Sequence, residues 1–214
     1  MYKYCLFDLD GTLTQSEFGI LKAAVYALER FGIVESDKRK LLCFIGPPLY
    51  VSFHEYYGLS EEDTELAVAY YREKYESETF TEAPLYDGII EVLETLKRHG
   101  IKLMIVTSKP SDMAKKVIEH VGISDFFEYV FGPGRDNKVS NKESLIKEAM
   151  ETAAVSEKSD FIMIGDRHYD IEAAVKTCID SIGAVYGYGS LEELKEAGAT
   201  YIVESPKDIL NYVI

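Results

Sequence analysis

Short runs of consecutive apolar residues alternate along this chain with stretches in which apolar residues recur every three or four positions. The runs predict strands buried on both faces, and the recurring pattern predicts amphipathic helices. The predicted strands are Tyr4–Asp8, Lys102–Val106, Tyr129–Phe131, Asp160–Ile164, Ser181–Val185 and Tyr201–Val203. The helices predicted between them are Asp87–His99, Ser111–Val121, Asn141–Ala154 and His168–Thr177. This alternation predicts an α/β fold with a doubly wound parallel sheet.

The segment of residues 16–83 interrupts this alternation, because it contains only helical patterns. Ile20–Phe31 has apolar residues at helical spacing, and Ser60 with three acidic residues after it is typical of a helix start. We call this segment the helical insert. We expect it to form a small all-helical cap domain over the carboxyl edge of the sheet, with residues 1–15 and 84–214 forming the α/β core domain.

The charge of the chain limits its possible partners. It has 23 Lys and Arg residues against 37 Asp and Glu residues, a formal net charge of −14 at pH 7. Such a charge repels the phosphates of nucleic acids, so we expect no nucleic acid polymer as a partner. No apolar run approaches the roughly 18–20 residues of a membrane span, and acidic Asp8 comes too early for a signal peptide. We therefore expect a cytoplasmic protein without membrane association.

The three cysteines are widely separated and form no CxxC motif. This spacing argues against a disulfide framework and against a structural zinc site. Cys5 and Cys178 lie in or beside apolar segments and are expected to be packing residues. Because the chain is strongly acidic, binding of an anionic small molecule would need local positive charge, either from a bound metal ion or from a few well-placed lysines.

Two carboxylates, Asp8 and Asp10, close the first predicted strand and are followed by Gly11. Residues two apart on a strand share a face, so their repulsion raises the pKa of one of them. A divalent cation would resolve this conflict, as would a division of labour in which one acid stays ionised and the other exchanges its proton. Gly11 allows the backbone to turn sharply out of the sheet. Taken alone, the same residues could be a solvated turn.

Further chemically active residues follow other predicted strands. Thr107-Ser108-Lys109-Pro110 offers a hydroxyl and backbone N–H groups at a helix start, which suits an anion but also a simple helix cap. Asp166 and Asp170 lie four residues apart and could hold a metal ion from one side, or could cap the next helix. Lys142 opens a helix, where a cation is unfavourable unless an anion compensates it; such a lysine is usually solvated.

These features all follow predicted parallel strands, whose carboxyl ends form the ligand-binding edge of an open α/β sheet. Independent caps and turns would not be expected to coincide there. Together they supply acids for a cation, a nucleophilic carboxylate, hydroxyl and N–H groups that can donate hydrogen bonds to a phosphate, and one lysine. This is the set that phosphoryl transfer through an aspartyl phosphate requires.

The same residues resemble the haloacid dehalogenase (HAD) superfamily of phosphatases. The resemblance rests on the DxDGT motif at Asp8–Thr12, the Thr/Ser motif at Thr107, the lysine motif at Lys142 and the GDxxxD motif at Gly165–Asp170. It covers the whole chain, with the helical insert resembling the family's helical cap. It implies a Rossmann-like core and a small phosphate ester as the substrate.

The resemblance implies a role for each acidic residue. Asp8 would attack phosphorus and carry the phosphoryl group. Asp10 would protonate the leaving oxygen and then deprotonate the hydrolytic water. Mg²⁺ would lie between Asp8, the backbone carbonyl of Asp10 and Asp166, with Asp170 nearby, because this hard ion prefers oxygen ligands.

The resemblance also implies how phosphate and substrate are held. Thr107 would bind a phosphoryl oxygen with help from the N–H of Ser108, and Lys142 would balance the equatorial charge. Lys109 could lie near the phosphate or only at the rim of the site. A Gly-Pro-Pro loop that begins at Gly46 could contact the leaving group or be a plain turn between helices. The predicted phosphate- or substrate-binding residues are Gly11, Gly46, Thr107, Ser108, Lys109 and Lys142.

The substrate is less determined than the chemistry. Many phosphoglycolate and pyrophosphate phosphatases have PxP after the motif lysine, whereas Glu143-Ser144 follows Lys142 here. The loop Phe44–Leu49 and the segment Gly187–Ser190 look more like a 5′-nucleotidase-like subgroup. We therefore expect a Mg²⁺-dependent phosphomonoesterase, monomeric or homodimeric, with nucleoside monophosphates as first substrates. The alternatives are a phosphoglycolate phosphatase or pyrophosphatase, a phosphosugar mutase, and a non-catalytic phosphate-binding regulatory module.

Overall fold

The computed structural model describes residues 2–135, 141–153 and 157–214. Within them, six parallel strands form one sheet with the order β3-β2-β1-β4-β5-β6. The strands are β1 (Tyr4–Phe7), β2 (Lys102–Val106), β3 (Tyr129–Phe131), β4 (Phe161–Gly165), β5 (Asp180–Ala184) and β6 (Tyr201–Val203). The predicted α/β fold with a doubly wound parallel sheet is confirmed, and strand bounds differ from the predictions by one residue at most.

Helices of different lengths connect these strands. Those of the helical insert are α1 (Glu17–Glu29), α2 (Lys38–Leu41), α3 (Leu49–Val51) and α4 (Glu61–Ser77). The others are α5 (Ile89–Arg98), α6 (Ser111–His120), α7 (Lys142–Thr152), α8 (His168–Thr177), α9 (Leu191–Glu196) and α10 (Leu210–Val213). The four predicted helices after the insert correspond to α5–α8; Ala154, the predicted last residue of the third, lies outside the described residues.

The two faces of the sheet bury alternate residues of the same strands. Cys5 and Phe7 of β1 face a cluster completed by α5, α6 and α10, whereas Tyr4 and Leu6 face a cluster completed by α7 and α8. Side chains of successive strand residues point to opposite faces, so a strand covered on both sides must be apolar throughout. This explains the continuous apolar runs of the central strands.

The helical insert has a hydrophobic cluster formed mainly by α1 and α4. Ser60 caps α4 as its sequence predicts, since its hydroxyl accepts a hydrogen bond from the N–H of Asp63 at 3.1 Å. The assignment of this segment to a separate cap domain stays a prediction.

The cysteines are free. Cys5 is buried in the sheet, as expected, but the expectation that Cys178 is a packing residue is wrong. Cys178 is exposed because it ends α8 in the left-handed conformation, with φ of 58°.

Candidate active site

The site lies at the carboxyl edge of the sheet, where Asp8 directly follows the central strand β1. The N–H of Asp8 donates to the carbonyl of Ile164 at 2.9 Å, which continues the pairing of β1 with β4. The Asp8 side chain is buried, with 6% of the residue exposed. Strands on both sides of β1 therefore fix the position of this carboxylate.

The loop after Asp8 turns tightly back on itself. Leu9 accepts backbone hydrogen bonds from Leu13 and Thr14, at 2.9 and 3.0 Å. Gly11 lies in this turn with φ of +88°, a conformation that side chains disfavour. A Cβ atom on Gly11 would also overlap Oδ2 of Asp166. Gly11 thus brings the loop backbone close to Asp166.

The two aspartates after β4 are both fully buried. The hydroxyl of Thr12 donates to Oδ1 of Asp166 at 3.2 Å, and the N–H of Tyr188 donates to its Oδ2 at 2.8 Å. Asp170 accepts a hydrogen bond from the N–H of Arg167 at 3.1 Å, so the capping function that its position suggested is present as well. Its other oxygen faces the ammonium of Lys142.

Asp8, Asp166 and Asp170 offer carboxylate oxygens within 4.8 Å of one another, an arrangement that could hold a metal ion. Lys142 is buried at the start of α7 and contacts two of them, with its Nζ 2.9 Å from Oδ1 of Asp8 and also against Asp170. These carboxylates compensate for the unfavourable position of a lysine at a helix start. When all these groups are ionised, three carboxylates and one ammonium leave a net charge of −2.

Burial strongly affects the ionisation of this cluster. It raises the pKa of Asp8 to about 6, with Lys142 opposing the rise and Asp170 and Asp10 adding to it. Burial, with the charges of Asp8 and Asp170, also raises the pKa of Asp166 well above its ordinary value. Such shifts indicate that the carboxylates lack enough positive charge to ionise together at low cost. A divalent cation among their oxygens would supply the missing charge.

The carboxylate of Asp10 pairs with a second lysine. Its Oδ2 lies 2.7 Å from Nζ of Lys109, and that nitrogen also donates to the hydroxyl of Tyr75 at 3.0 Å. Lys109 lines the cavity and forms a buried ion pair with Asp10, which sequence reasoning did not predict. Its predicted contact with the phosphate stays a prediction. Burial acts to lower the pKa of Lys109, but Asp10, Tyr75 and Tyr71 raise it above its ordinary value. The predicted contribution of the Asp10 backbone carbonyl to a metal site stays a prediction.

Thr107 and Ser108 follow β2 beside these carboxylates. The N–H of Thr107 donates to the carbonyl of Phe131 at 3.0 Å, which extends the pairing of β2 with β3. Its hydroxyl accepts a hydrogen bond from the N–H of Lys109 at 3.2 Å. Thr107, Ser108, Asp8 and Asp10 all line one cavity of about 430 Å³ between the sheet edge and the helical insert.

The wall of this cavity that comes from the helical insert is largely apolar and aromatic. It includes Phe44, Gly46, Pro47, Pro48, Leu49, Val68, Tyr71 and Tyr75. The structure therefore places Gly46 at the cavity, although its predicted contact with a substrate stays a prediction. Polar residues also line this cavity, among them Arg72, whose guanidinium donates a hydrogen bond to the backbone carbonyl of Arg135 at 2.8 Å.

The comparison with known families agrees with this geometry. A family model described as haloacid dehalogenase-like hydrolase matches residues 5–184. The chain belongs to the haloacid dehalogenase-like hydrolases. This confirms the resemblance drawn from the motifs, and relatives and structural neighbours support a phosphatase that acts on a phosphate ester.

Several relatives of this HAD phosphatase match almost its whole length. A 5′-nucleotidase of Pseudomonas aeruginosa is 37% identical over 200 residues, which cover 94% of this chain and 90% of that protein. The tyrosine-protein kinase PtkA of Mycobacterium tuberculosis is 30% identical over 201 residues, 94% of this chain and 68% of the relative. A crystal structure described as a predicted phosphatase, from Clostridium acetobutylicum, has a TM-score of 0.92 at 45% identity and covers 99% of both chains. Other relatives are named phosphoglycolate phosphatase and pyrophosphatase.

Three contacts between this HAD core and the helical insert were not found by sequence reasoning. Tyr75 of α4 is buried, and its hydroxyl accepts a hydrogen bond from Lys109. Tyr188 accepts a hydrogen bond from the N–H of Glu17 at 2.9 Å, so it joins the start of α1 to the loop that holds Asp166. Arg167 donates to the carbonyl of Ile45 at 2.8 Å and is held by Glu193. Gly187 and Gly189, on either side of Tyr188, were a usable signal in the sequence for a close approach of this loop. A Cβ atom at either position would overlap Asp166.

None of the helices in the described parts of this HAD phosphatase is long and apolar enough to cross a lipid bilayer. The cytoplasmic location and the monomeric or dimeric state stay predictions.

Proposed function

We propose that this protein is a Mg²⁺-dependent phosphomonoesterase that uses Asp8 as its nucleophile and nucleoside 5′-monophosphates as substrates. The observation that carries the proposal is the buried carboxylate of Asp8, which lines a substrate-sized cavity. The same carboxylate contacts Lys142 and offers an oxygen within 4.8 Å of oxygens of Asp166 and Asp170. A nucleophilic carboxylate must approach an anionic phosphate, so nearby positive charge is essential.

Mg²⁺ fits the chemistry of the acidic cluster. Asp8, Asp166 and Asp170 supply hard oxygen ligands, and their net charge of −2 with Lys142 matches a divalent cation. When bound, the ion would neutralise developing charge on the phosphate and allow Asp8 to approach it. Thr12 and the N–H of Tyr188 would orient Asp166, since outer hydrogen bonds fix the direction of ligand oxygens.

In the first step, a carboxylate oxygen of Asp8 attacks phosphorus, and the bond between phosphorus and the leaving oxygen breaks. Asp10 gives its proton to that leaving oxygen, so the product departs as an alcohol. Thr107 and the N–H of Ser108 bind phosphoryl oxygens, and Lys142 stabilises the equatorial charge.

In the second step, water attacks the phosphorus of the aspartyl phosphate while Asp10 takes the proton of that water. The bond between phosphorus and Asp8 breaks, which releases inorganic phosphate and regenerates the carboxylate. Asp10 is then protonated again and ready for the next ester. Each residue thus returns to its starting state after one turnover.

The cavity supports a nucleoside as the leaving group. A volume of about 430 Å³ with apolar and aromatic walls suits a ribose and a base. Phosphoglycolate would leave most of this wall uncovered. The matched relative named 5′-nucleotidase supports the same class. The relatives named phosphoglycolate phosphatase and pyrophosphatase keep those substrates as alternatives to be compared directly.

Phosphate release from a substrate panel tests the proposal. The panel contains nucleoside 5′-monophosphates, phosphoglycolate, pyrophosphate and sugar phosphates, each with Mg²⁺ and with chelator. Asp8→Asn should abolish turnover and keep the circular dichroism spectrum, whereas Asp125→Asn, at an exposed position, should match the wild type. Wild-type activity in Asp8→Asn would exclude Asp8 as the nucleophile.

The panel also separates the alternatives. Preference for phosphoglycolate or pyrophosphate would replace nucleotides as the substrate class while leaving the mechanism intact. An isomerised sugar phosphate without free phosphate would indicate a mutase. Tight Mg²⁺ and phosphate binding without turnover of any ester would indicate a non-catalytic module.

A further inference from the structure

A continuous polar contact joins the helical insert to the carboxylate of Asp10. Tyr75 lies on α4 of the insert, Lys109 lies on the loop after β2, and Asp10 lies on the loop after β1. Nζ of Lys109 is 3.0 Å from the hydroxyl of Tyr75 and 2.7 Å from Oδ2 of Asp10. Tyr75 and Lys109 are both buried. Three segments distant in sequence therefore meet at one ammonium group.

The two oxygens of the Asp10 carboxylate have different surroundings. Lys109 holds Oδ2, whereas Oδ1 is buried and has no hydrogen-bond partner among the described residues. Burying a polar atom without a partner is costly, so such an atom at a cavity indicates a place for a ligand. With one oxygen fixed by the lysine, the other is left for the leaving oxygen or the attacking water.

We propose that Lys109 positions the Asp10 carboxylate for proton transfer and that Tyr75 places this lysine from the helical insert. This role rests on the proposed function, because it concerns the proton that Asp10 exchanges. An ammonium on a flexible four-carbon chain has many possible directions. The Tyr75 hydroxyl restricts them, and the aromatic ring, whose centroid is 4.7 Å from Nζ, excludes water from one side. Lys109 and Tyr75 are thus positioning residues, and the arrangement is complete only with α4 packed over the site.

The two steps of the reaction depend differently on Asp10. An ester with a weakly basic leaving group, such as p-nitrophenyl phosphate, needs little proton donation in the first step. Hydrolysis of the aspartyl phosphate needs Asp10 to accept the proton of water, whatever the ester was. Misplacing Asp10 should therefore slow the second step selectively with this substrate. A loss of general structure would slow binding and both steps together.

Rapid-quench kinetics with p-nitrophenyl phosphate and Mg²⁺ test this role, with nitrophenol release and covalently bound phosphate followed in parallel. Lys109→Met should slow hydrolysis of the phosphoenzyme by roughly tenfold or more, so that a burst of nitrophenol appears and phosphoenzyme accumulates. Tyr75→Phe should act in the same direction by about threefold, because it removes one hydrogen bond and keeps the ring. Tyr70→Phe is the matched control on the same helix; Tyr70 packs against Phe31 and does not line the cavity.

The outcomes separate this role from the proposed function. A wild-type protein that releases no phosphate from any ester would overturn the function and the positioning role with it. A wild type with turnover, and a Tyr75→Phe variant indistinguishable from Tyr70→Phe, would overturn only the positioning role. Equal slowing of both steps in the variants would also overturn it. If Lys109→Met does not fold, the pair of tyrosine variants still decides.

Discussion

Without a bound divalent ion, Asp8 should make a contribution to the stability of the fold that is lost as the pH rises from about 4 to about 6. Burial raises the pKa of Asp8 to about 6, compared with an ordinary value of 3.8. Between these values the folded state keeps a proton that the unfolded chain has released. The stabilising effect of this proton on the folded state is complete below pH 3.8 and is lost as the pH rises through about 6.

The size of this effect follows from the difference between the two pKa values. One pH unit corresponds to about 1.36 kcal/mol, so Asp8 contributes on the order of 3 kcal/mol. Unfolding entropy of about 2.1 cal/mol/K per residue over this chain makes that equal to a melting temperature difference of roughly 7 °C. Asp166 acts in the same direction, because its pKa is also raised. Asp8→Asn removes the titrating group at nearly constant shape and should remove its share of the pH dependence.

Thermal unfolding of wild type and Asp8→Asn in chelator, followed by circular dichroism between pH 4 and 7.5, measures this difference. The wild type should lose about 7 °C relative to the variant across this range, and Mg²⁺ at pH 7.5 should raise the melting temperature of the wild type more than that of the variant, which keeps only Asp166 and Asp170. Asp125→Asn should follow the wild type. Parallel curves for wild type and Asp8→Asn would refute the reasoning, because they would mean that Asp8 ionises in the metal-free fold without cost.

Three further variants test other contacts of the site. Lys142→Met should lower turnover by at least roughly 100-fold, because it removes a positive charge that balances the phosphate. It removes no ligand of the ion, so Mg²⁺ binding measured by calorimetry should not weaken. Weaker Mg²⁺ binding would contradict this assignment. Arg167→Met should lower kcat/KM for nucleotides about tenfold through the lost hydrogen bond to Ile45, with Mg²⁺ affinity unchanged as the control. Gly11→Ala should abolish the rise in melting temperature that Mg²⁺ causes, since its Cβ would overlap Asp166; a normal rise would show that this loop can relax.

Local patterns were sufficient to predict the fold and the acidic end of the site. The apolar runs located each strand, and parallel strands bring the residues that follow them to one edge. Asp8 and Asp166 were thus expected at the same edge of the sheet. The direct pairing of β1 with β4, which the sequence did not predict, brings them together. Short helices such as α2 and α3 were not separately predicted, since a few residues give no clear period.

Contacts between distant segments were beyond such patterns. Tyr75 belongs to an apolar stripe of α4, and periodicity does not show which core tyrosine directs its hydroxyl to a lysine elsewhere. Tyr188 holds Asp166 through its backbone N–H, a contact that only the flanking glycines indicate in the sequence. The direction of the Asp10 carboxylate depends on Lys109, whose own direction depends on Tyr75. Only the packed structure determines these orientations.

The hydrophobic cluster of the helical insert has a consequence for how such a protein diversifies. On the cavity wall that comes from the helical insert, Phe44 belongs to that cluster, and Leu49 and Val68 pack against it. The strands that hold Asp8 and Asp166 are instead stabilised by the clusters of the sheet. Exchanges in the wall therefore strain a different set of packing contacts from those that align the nucleophile. After gene duplication, selection for a new metabolite can act on the wall residues other than Tyr75 while the inherited chemistry stays intact.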